Sequence, residues 1–177
     1  MPAILNLEDV IFESRPASLL PEGAAAERFD ARFGAVAARI GASKLGYNIT
    51  AVPPGKSAFP FHNHWVNEEM VFVLQGAGTI RIGSETCPLS EGDFVALPPG
   101  DASRAHEIIN TGSVELRYLA VSTRQSPEVG QYPDSGKFAV IATAPRSAGE
   151  QGEAPLFRFF GRAEQCLDYW DGEAPEK

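Results

Sequence analysis

The sequence predicts an all-β fold, a sandwich or barrel built from short strands. From Leu45 onward the chain consists of short apolar runs separated by glycine and proline turns. These runs include LGYNITAVPPG, MVFVLQGAGTIRIG, CPLSEGDFVALPPG and VELRYLAVST. Many short strands with turn signals between them are typical of a sandwich or barrel.

Length and composition suit one domain over residues 1–177, because 44% hydrophobic residues can supply a sizeable core. The net charge of -8 argues against nucleic acid or an anionic membrane as a partner. Cys87 and Cys166 lie far apart, which indicates neither a disulfide framework nor a thiolate metal site. Since the first residues lack a basic start and a long apolar run, we expect a cytoplasmic protein.

Before the strand-like region, residues 24–40 (AAAERFDARFGAVAARI) predict an amphipathic helix. Phe29, Phe33 and Val36 recur there at helical spacing. We expect this helix to belong to an N-terminal arm that packs on the barrel.

The segment MVFVLQ is apolar on both faces, with Met70, Phe72 and Leu74 opposite Val71 and Val73. A strand with one solvated face would instead alternate apolar and polar residues. We therefore expect the outer face to be covered, either by the N-terminal arm or by a second copy of the chain.

Beyond Ser122 the chain is rich in Gly, Pro and Ser but also carries the aromatic clusters LFRFFG and LDYWDGE. A fully disordered tail would lack such aromatics, so we expect them to dock on the barrel surface. The alternative is that Phe157, Phe159, Phe160 or Trp170 closes over a pocket as a lid.

The three histidines of the chain predict a metal site. His62 and His64 are two residues apart, and such side chains share one face of an extended strand, so both imidazoles can reach one ion. His106 would arrive from a separate hairpin, because GDFVALP and AHEIIN are β-rich runs divided by a Pro-Pro-Gly turn.

Two motifs around these histidines resemble the signature motifs of the cupin superfamily. In the first, His62 and His64 precede Glu69, and Gly76 follows after six more residues. The second motif consists of Gly92, Pro98, Gly100, His106 and Asn110. The fit departs at two places, because Gly55 lies one residue further from His62 than in the family and three extra residues precede His106. The resemblance covers residues 44–124.

Glu68 and Glu69 both fit the spacing that the family allows for a carboxylate ligand. Only Glu69 keeps six residues before the glycine turn, and on an alternating strand it shares its face with Val71 and Val73. The resemblance therefore implies a ligand set of His62, His64, Glu69 and His106. We expect the motif glycines to be turn residues with unusual backbone angles.

Three imidazoles and one carboxylate suit one divalent transition metal, which could be iron, manganese, nickel, cobalt or zinc. Calcium and magnesium favour sites made wholly of oxygen. The sequence does not show which of these transition metals is bound. All of them bind imidazole and carboxylate ligands, so the cell's supply of each ion decides.

The cupin resemblance implies a double-stranded β-helix, or jelly roll, with a core over residues 44–124, an N-terminal arm (1–43) and a C-terminal extension (125–177). It also implies a homodimer and a small-molecule ligand. The layout resembles single-domain bacterial cupins described as sugar-phosphate isomerases. We therefore expect metal-assisted enolisation of a small oxygenated metabolite, with two alternatives, an iron-dependent dioxygenase and a non-catalytic, carbohydrate-binding cupin.

Arg104 and Lys56 are the candidate cations for a negatively charged substrate. Arg104 lies two residues before His106 and would share its face if the segment is extended. A guanidinium there could bind a carboxylate or phosphate through two parallel hydrogen bonds. The alternative is an ordinary solvated loop arginine.

Overall fold

The computed structural model describes residues 3–145 and 153–173, and antiparallel strands dominate it. Two short helices, α1 (Ala24–Arg28) and α2 (Ala37–Ile40), lie in the N-terminal arm. The strands, in chain order, are β1 (Phe12–Ser14), β2 (Arg32–Ala35), β3 (Leu45–Val52), β4 (Asn63–His64), β5 (Glu69–Gln75), β6 (Ala77–Ile82), β7 (Glu85–Ser90), β8 (Phe94–Leu97), β9 (His106–Ile109), β10 (Leu116–Thr123), β11 (Glu128–Tyr132), β12 (Lys137–Pro145) and β13 (Glu153–Arg162).

The first layer is a six-stranded sheet in the order β1-β2-β3-β10-β5-β8. Its centre is the pairing of β10 with β3, in which Leu116 faces Val52 and Tyr118 faces Thr50. All four of these side chains are almost fully buried. Because side chains alternate along a strand, the same register sends the intervening residues to the outer face of the sheet.

The second layer is built from two groups of strands, β7-β6-β9 and β13-β12-β11-β4. A bridge between His62 and His106 joins the groups. The His62 amide donates to the His106 carbonyl at 3.1 Å, and the His106 amide donates to the His62 carbonyl at 2.7 Å. Two histidines are therefore direct neighbours across the second layer.

Apolar side chains from both layers form one core between them. Its buried members include Val52, Val71, Val73, Ile80, Leu89, Leu97, Ile108 and Leu116. Full burial of such a side chain stabilises the fold by about 1.5–3 kcal/mol. Strands β3 to β10 fall inside the predicted core of residues 44–124, and the predicted all-β jelly roll with an arm and an extension is confirmed.

The motif glycines are turn residues with one exception. Gly76 has a φ of 84° and Gly92 a φ of 92°, in the left-handed region that favours glycine. A Cβ at Gly76 would also lie 2.8 Å from the Glu115 carbonyl oxygen. Gly100 has no positive φ, so the expected unusual backbone is wrong there. Its Cβ would instead meet the Arg104 side chain at 2.8 Å.

The predicted helix over residues 24–40 is wrong, because strand β2 interrupts it between α1 and α2. Gly34 is the reason in part, since glycine inside a helix costs about 1 kcal/mol relative to alanine. The pairing of β2 with its neighbours in the sheet is the other reason. Gly34 pairs with Phe12 of β1 and Ile49 of β3, while the Phe33 ring packs 5.6 Å from that of Phe59. Tertiary contacts thus override a helical sequence pattern.

Arg28 and Arg15 add side-chain contacts between the arm and the barrel to the pairing of β2 with β3. The Arg28 guanidinium donates to the buried Glu107 carboxylate at 2.6 Å. The Arg15 guanidinium lies between the rings of Phe33 and Phe59, at 4.7 and 4.8 Å from their centroids. It also donates to the Ala58 carbonyl oxygen. The arm therefore packs on the barrel as expected, although not as one helix.

The C-terminal extension docks through its backbone. Strand β11 pairs with β4, so that Gly130 faces His64 and Gln131 faces Asn63. We expected the aromatic clusters LFRFFG and LDYWDGE to make this contact, but their side chains are largely exposed, with exposed fractions of 41% for Phe159 and 72% for Trp170.

Within the described residues, no helix has both the length and the apolar character needed to cross a membrane. The predicted cytoplasmic location stays a prediction.

Candidate metal centre

The two histidines of the first motif enter the site from β4 and the residue before it. His62 and His64 point into the barrel, while Asn63 between them points away and donates from Nδ2 to the Gly100 carbonyl at 2.7 Å. Asn63 is fully buried, so this hydrogen bond fixes the strand between the histidines. The predicted shared face of His62 and His64 is confirmed by the 5.0 Å between their ring centroids.

Glu69 brings its carboxylate to the same place from the start of β5. Its Oε2 lies 3.2 Å from His106 Nε2 and 3.5 Å from His64 Nε2. Glu68, one residue before β5, is exposed and is not one of the clustered ligand candidates. The predicted register, with Glu69 inward beside Val71 and Val73, agrees with the structure.

His106 begins β9 after a one-turn 3-10 helix, Ala102–Arg104, that absorbs the three extra residues of the second motif. Asp101 caps this turn by accepting from the Ser103 amide at 2.9 Å and the Ser103 hydroxyl at 2.6 Å. The insertion therefore leaves the position of His106 intact.

Asn110, the last residue of the second motif, is structural. Its Nδ2 donates to the carbonyls of Val52 and Val114, both at 2.8 Å, and its Oδ1 accepts from the Gly112 amide. It thus ties the end of β9 to β3 and to the turn before β10.

The structure brings the four predicted ligands together. Each of His62, His64, Glu69 and His106 offers one ligand atom, and these atoms lie within 4.8 Å of one another. Both ring nitrogens of His64 are buried without a hydrogen-bond partner among the described residues. An unpartnered buried polar atom costs about 1–3 kcal/mol, which an ion bound there would offset. The donor set fits a divalent first-row transition metal.

Each ring turns its Nδ1 toward an acceptor on the outside of the cluster. His62 Nδ1 lies 2.7 Å from the Pro60 carbonyl oxygen, and His106 Nδ1 lies 3.3 Å from that of Arg104. A carbonyl oxygen accepts only from a protonated nitrogen, so this arrangement leaves the Nε2 lone pairs for an ion.

Burial and the charges of neighbouring side chains set the pKa values of the clustered residues. Burial, together with the neighbouring His106 and His64, lowers the pKa of His62 to about 4. Burial would raise the pKa of Glu69, but contact with His106 and the charge of His64 outweigh it and the pKa is lowered. Neutral imidazole and ionised carboxylate are the forms that bind metal, so near neutral pH these two groups need lose no proton.

His64 behaves differently from His62. Burial would lower its pKa, but the Glu128 and Glu69 carboxylates outweigh burial and raise it. A proton therefore competes with a metal ion at His64 before it competes at His62. As a consequence, metal binding at this cluster weakens as the pH falls.

A cavity of about 270 Å³ opens beside the cluster. It is lined by the four candidate ligands and by Asn48, Phe59, Val71, Leu97, Glu107, Ile108, Tyr118, Ala120 and Tyr132. Among the lining residues, Asn48 accepts from the Thr50 hydroxyl at 3.0 Å, and Tyr118 is the cross-strand partner of Thr50. The lining thus combines the four candidate ligands with other polar and with apolar side chains, which suits a small oxygenated molecule.

Two site residues from β11 escaped the sequence analysis. The Tyr132 ring stacks on His62 at 5.9 Å and lines the cavity. The Glu128 carboxylate reaches to 3.6 Å from His64 Nδ1. Both lie more than sixty residues along the chain from the histidines they contact, and no local pattern marks them. Their one sequence signal is that a strand-like EVGQY run begins with an acidic residue.

The two predicted cations are outside the cavity lining. Arg104 is exposed, because its segment forms a 3-10 turn rather than the extended strand that would place it on the face of His106. Lys56 donates to the Ala26 and Glu27 carbonyls at 3.2 and 2.6 Å and so holds the end of α1. None of the described residues that line the cavity is a lysine or an arginine. The aromatic lid candidates Phe157, Phe159, Phe160 and Trp170 are not among the lining residues either.

Residues 48–122 match the cupin domain family. The chain is similar in structure to a sugar phosphate isomerase of the cupin superfamily from Silicibacter pomeroyi, with 25% identity, a TM-score of 0.70 and coverage of 95% of this chain and 98% of the other. It is also similar to a presumed sugar phosphate isomerase from Acidithiobacillus ferrooxidans, with 26% identity, a TM-score of 0.68 and coverage of 88% and 93%.

Among curated proteins, the oxalate-binding protein of Thermotoga maritima is 33% identical over 70 residues, which are 40% of this chain and 54% of that protein. The chain spans about half the length of the curated relatives it matches. The region that matches the cupin domain family contains all four candidate ligands and strands β5 to β9. The chain therefore contains a cupin domain at residues 48–122, within a fold similar to that of cupin-superfamily structures.

Proposed function

We propose that the protein is a metal-dependent enzyme that acts on a small oxygenated metabolite by enolisation, in the manner of a sugar-phosphate isomerase. The observation that carries the proposal is the cluster of His62, His64, Glu69 and His106 at one wall of a small cavity. The likeness over nearly the whole chain to the Silicibacter pomeroyi sugar phosphate isomerase supports the substrate class.

His62, His64, Glu69 and His106 would hold the ion, which when bound supplies a Lewis acid that polarises a substrate carbonyl. The chain's own residues orient the substrate. Asn48 and Tyr118 line the cavity with polar groups that can hydrogen-bond sugar hydroxyls, while Tyr132 stacks on the His62 ring. The apolar sides formed by Phe59, Leu97 and Ile108 exclude water around the reacting carbons.

The proposal is tested first by elemental analysis of the purified protein and then by assay of the metal-loaded form on a panel of sugar phosphates and keto acids. We expect a transition metal near one equivalent and interconversion of at least one aldose and ketose phosphate pair. Iron together with substrate-dependent oxygen consumption would instead indicate the dioxygenase alternative.

A non-catalytic binding protein is the second candidate function, favoured by the 33% identity to the oxalate-binding protein. Oxalate is a small dianion whose oxygens could occupy the open positions of a four-ligand ion. In this case the metal-loaded protein gains thermal stability with oxalate or a panel member, following mass action, and converts none of them.

The substrate contact predicted for Arg104 stays a prediction with its own test. If the substrate carries a carboxylate or phosphate that pairs with this guanidinium, the charge-assisted contact contributes about 1.5–3 kcal/mol, or roughly tenfold or more in affinity. Arg104→Lys is then expected to lose much of this affinity, since a point charge does not reproduce the planar fork, while metal content stays unchanged. Arg104→Ala with parental affinity would assign the residue to the solvated surface.

We further propose a homodimer formed through the outer face of the six-stranded sheet. Phe72 and Phe94 are cross-strand partners on this face, their rings stack at 4.3 Å, and Phe94 is 72% exposed. Met70 on the same strand as Phe72, together with Leu119 and Val121 on β10, extends the apolar surface. An apolar face of this kind is typical of a subunit interface.

Phe72→Glu is expected to convert the dimer to a monomer, because it places a charge at the centre of the buried face. Light scattering coupled to size-exclusion chromatography measures the mass. Phe157→Glu, on the exposed surface of β13, is the matched control and should leave the mass unchanged. A parent protein that is monomeric at micromolar concentration would contradict the interface.

A further inference from the structure

We infer that Glu128 is the positioning residue that orients His64 for metal binding. Glu128 is the first residue of β11, in the C-terminal extension and outside the cupin match at residues 48–122. Strand β11 pairs with β4, so its backbone runs beside His64. The inference rests on the proposed metal binding, and it adds a residue from the extension to the site.

The Glu128 carboxylate is held rigidly by the loop that joins β4 to β5. It accepts from the backbone amides of Trp65, Val66 and Asn67 at 3.1, 3.2 and 2.9 Å. It also accepts from the Asn67 side chain, which is itself anchored on the Gln125 carbonyl at 3.0 Å. This loop connects two candidate ligands, His64 and Glu69, so one carboxylate fixes both the loop and the strand that carry them.

His64 lies between two carboxylates, one for each ring nitrogen. Its Nδ1 is 3.6 Å from Glu128 Oε2, and its Nε2 is 3.5 Å from Glu69 Oε2. The ring nitrogens have no hydrogen-bond partner at normal distance among the described residues, although both are buried. A proton on Nδ1 would face Glu128 and leave the Nε2 lone pair on the side of Glu69 and the cluster.

Glu128 differs in chemical type from the groups that face the Nδ1 atoms of the other two rings. His62 and His106 face backbone carbonyls of Pro60 and Arg104 from their Nδ1 atoms. A carboxylate in the same position fixes the Nδ1–H tautomer and makes the ligand nitrogen more basic than a carbonyl does. His64 is therefore the ligand whose orientation depends on a side chain, and that side chain belongs to the extension.

The inference is tested by the affinity of the metal-free protein for Zn²⁺, measured by competition with a chromophoric chelator. Glu128→Gln is expected to weaken binding by about 10- to 100-fold, the usual effect of removing a group that supports a metal ligand. The matched control is Glu115→Gln, which removes a carboxylate paired with Arg32 and Arg117 on the surface and should bind as the parent does. Equal affinity of the parent and Glu128→Gln overturns the inference, whereas a parent that binds no metal overturns the proposed function.

A second measurement tests the inference even if Glu128→Gln fails to fold or the parent binds no metal. Nitrogen-15 NMR of the metal-free parent, at a pH where His64 is neutral, reports which ring nitrogen carries the proton. We expect Nδ1–H for His64, and in a folded Glu128→Gln variant we expect this preference to be lost at His64 alone. A purely structural role for Glu128 would not move the tautomer. Predominant Nε2–H at His64 in the parent overturns the inference.

Discussion

The double substitution His62→Ala with His64→Ala is expected to abolish stoichiometric metal binding and leave a folded, β-rich protein. Two of the four candidate ligands are removed, and the remaining pair, Glu69 and His106, offers two atoms to the ion. Loss of one supporting residue near a metal already costs up to about 100-fold in affinity, so loss of two ligands should exceed that. The fold should survive, because the apolar core between the layers forms without the cluster.

Metal content is measured by elemental analysis after dialysis against a weak chelator, and folding by far-ultraviolet circular dichroism. The metal-free parent is the control, since it has lost the ion but kept every side chain. The double variant and this control should share one spectrum. Full metal occupancy in the double variant would falsify the ligand assignment.

The placement of the candidate ligand side chains was predictable because it follows from local geometry. His62 and His64 share a face through the two-residue period of a strand, and the same period separates Glu69 from Glu68. The two motifs also put His62 and His106 in one ligand set, and an isolated bridge joins these two residues in the structure. These features depend on a few neighbouring residues, so the sequence contains them.

Contacts between residues that are far apart in the sequence were not predictable. Glu128 and Tyr132 reach the cluster because β11 pairs with β4, and that pairing depends on the path of a chain segment sixty residues away. Gly34 illustrates the same limit in the arm. Its surroundings read as helical, but the pairing of β2 with β1 and β3 stabilises a strand there. Pairing between distant strands therefore determined the features that the residue pattern of a short segment did not predict.

Glu69→Gln is expected to weaken metal binding far more than Glu68→Gln. The Glu69 carboxylate lies 3.2 Å from His106 Nε2 inside the cluster, whereas Glu68 is exposed and is not one of the clustered ligand candidates. An amide oxygen carries no charge, so the variant loses the Coulomb attraction to the ion in a site of low dielectric. We expect a loss of at least about tenfold in Zn²⁺ affinity for Glu69→Gln, by analogy with the loss of a group that supports a ligand.

Glu68→Gln is the matched control, because it makes the same chemical change one residue away. Glu68 contributes its backbone amide, which donates to the Thr123 hydroxyl at 3.1 Å, and this contact survives the substitution. Its Zn²⁺ affinity should therefore equal that of the parent in the same chelator competition. Successive residues on a strand face opposite ways, so equal losses in both variants, or a larger loss for Glu68→Gln, would mean that β5 has the other register in solution.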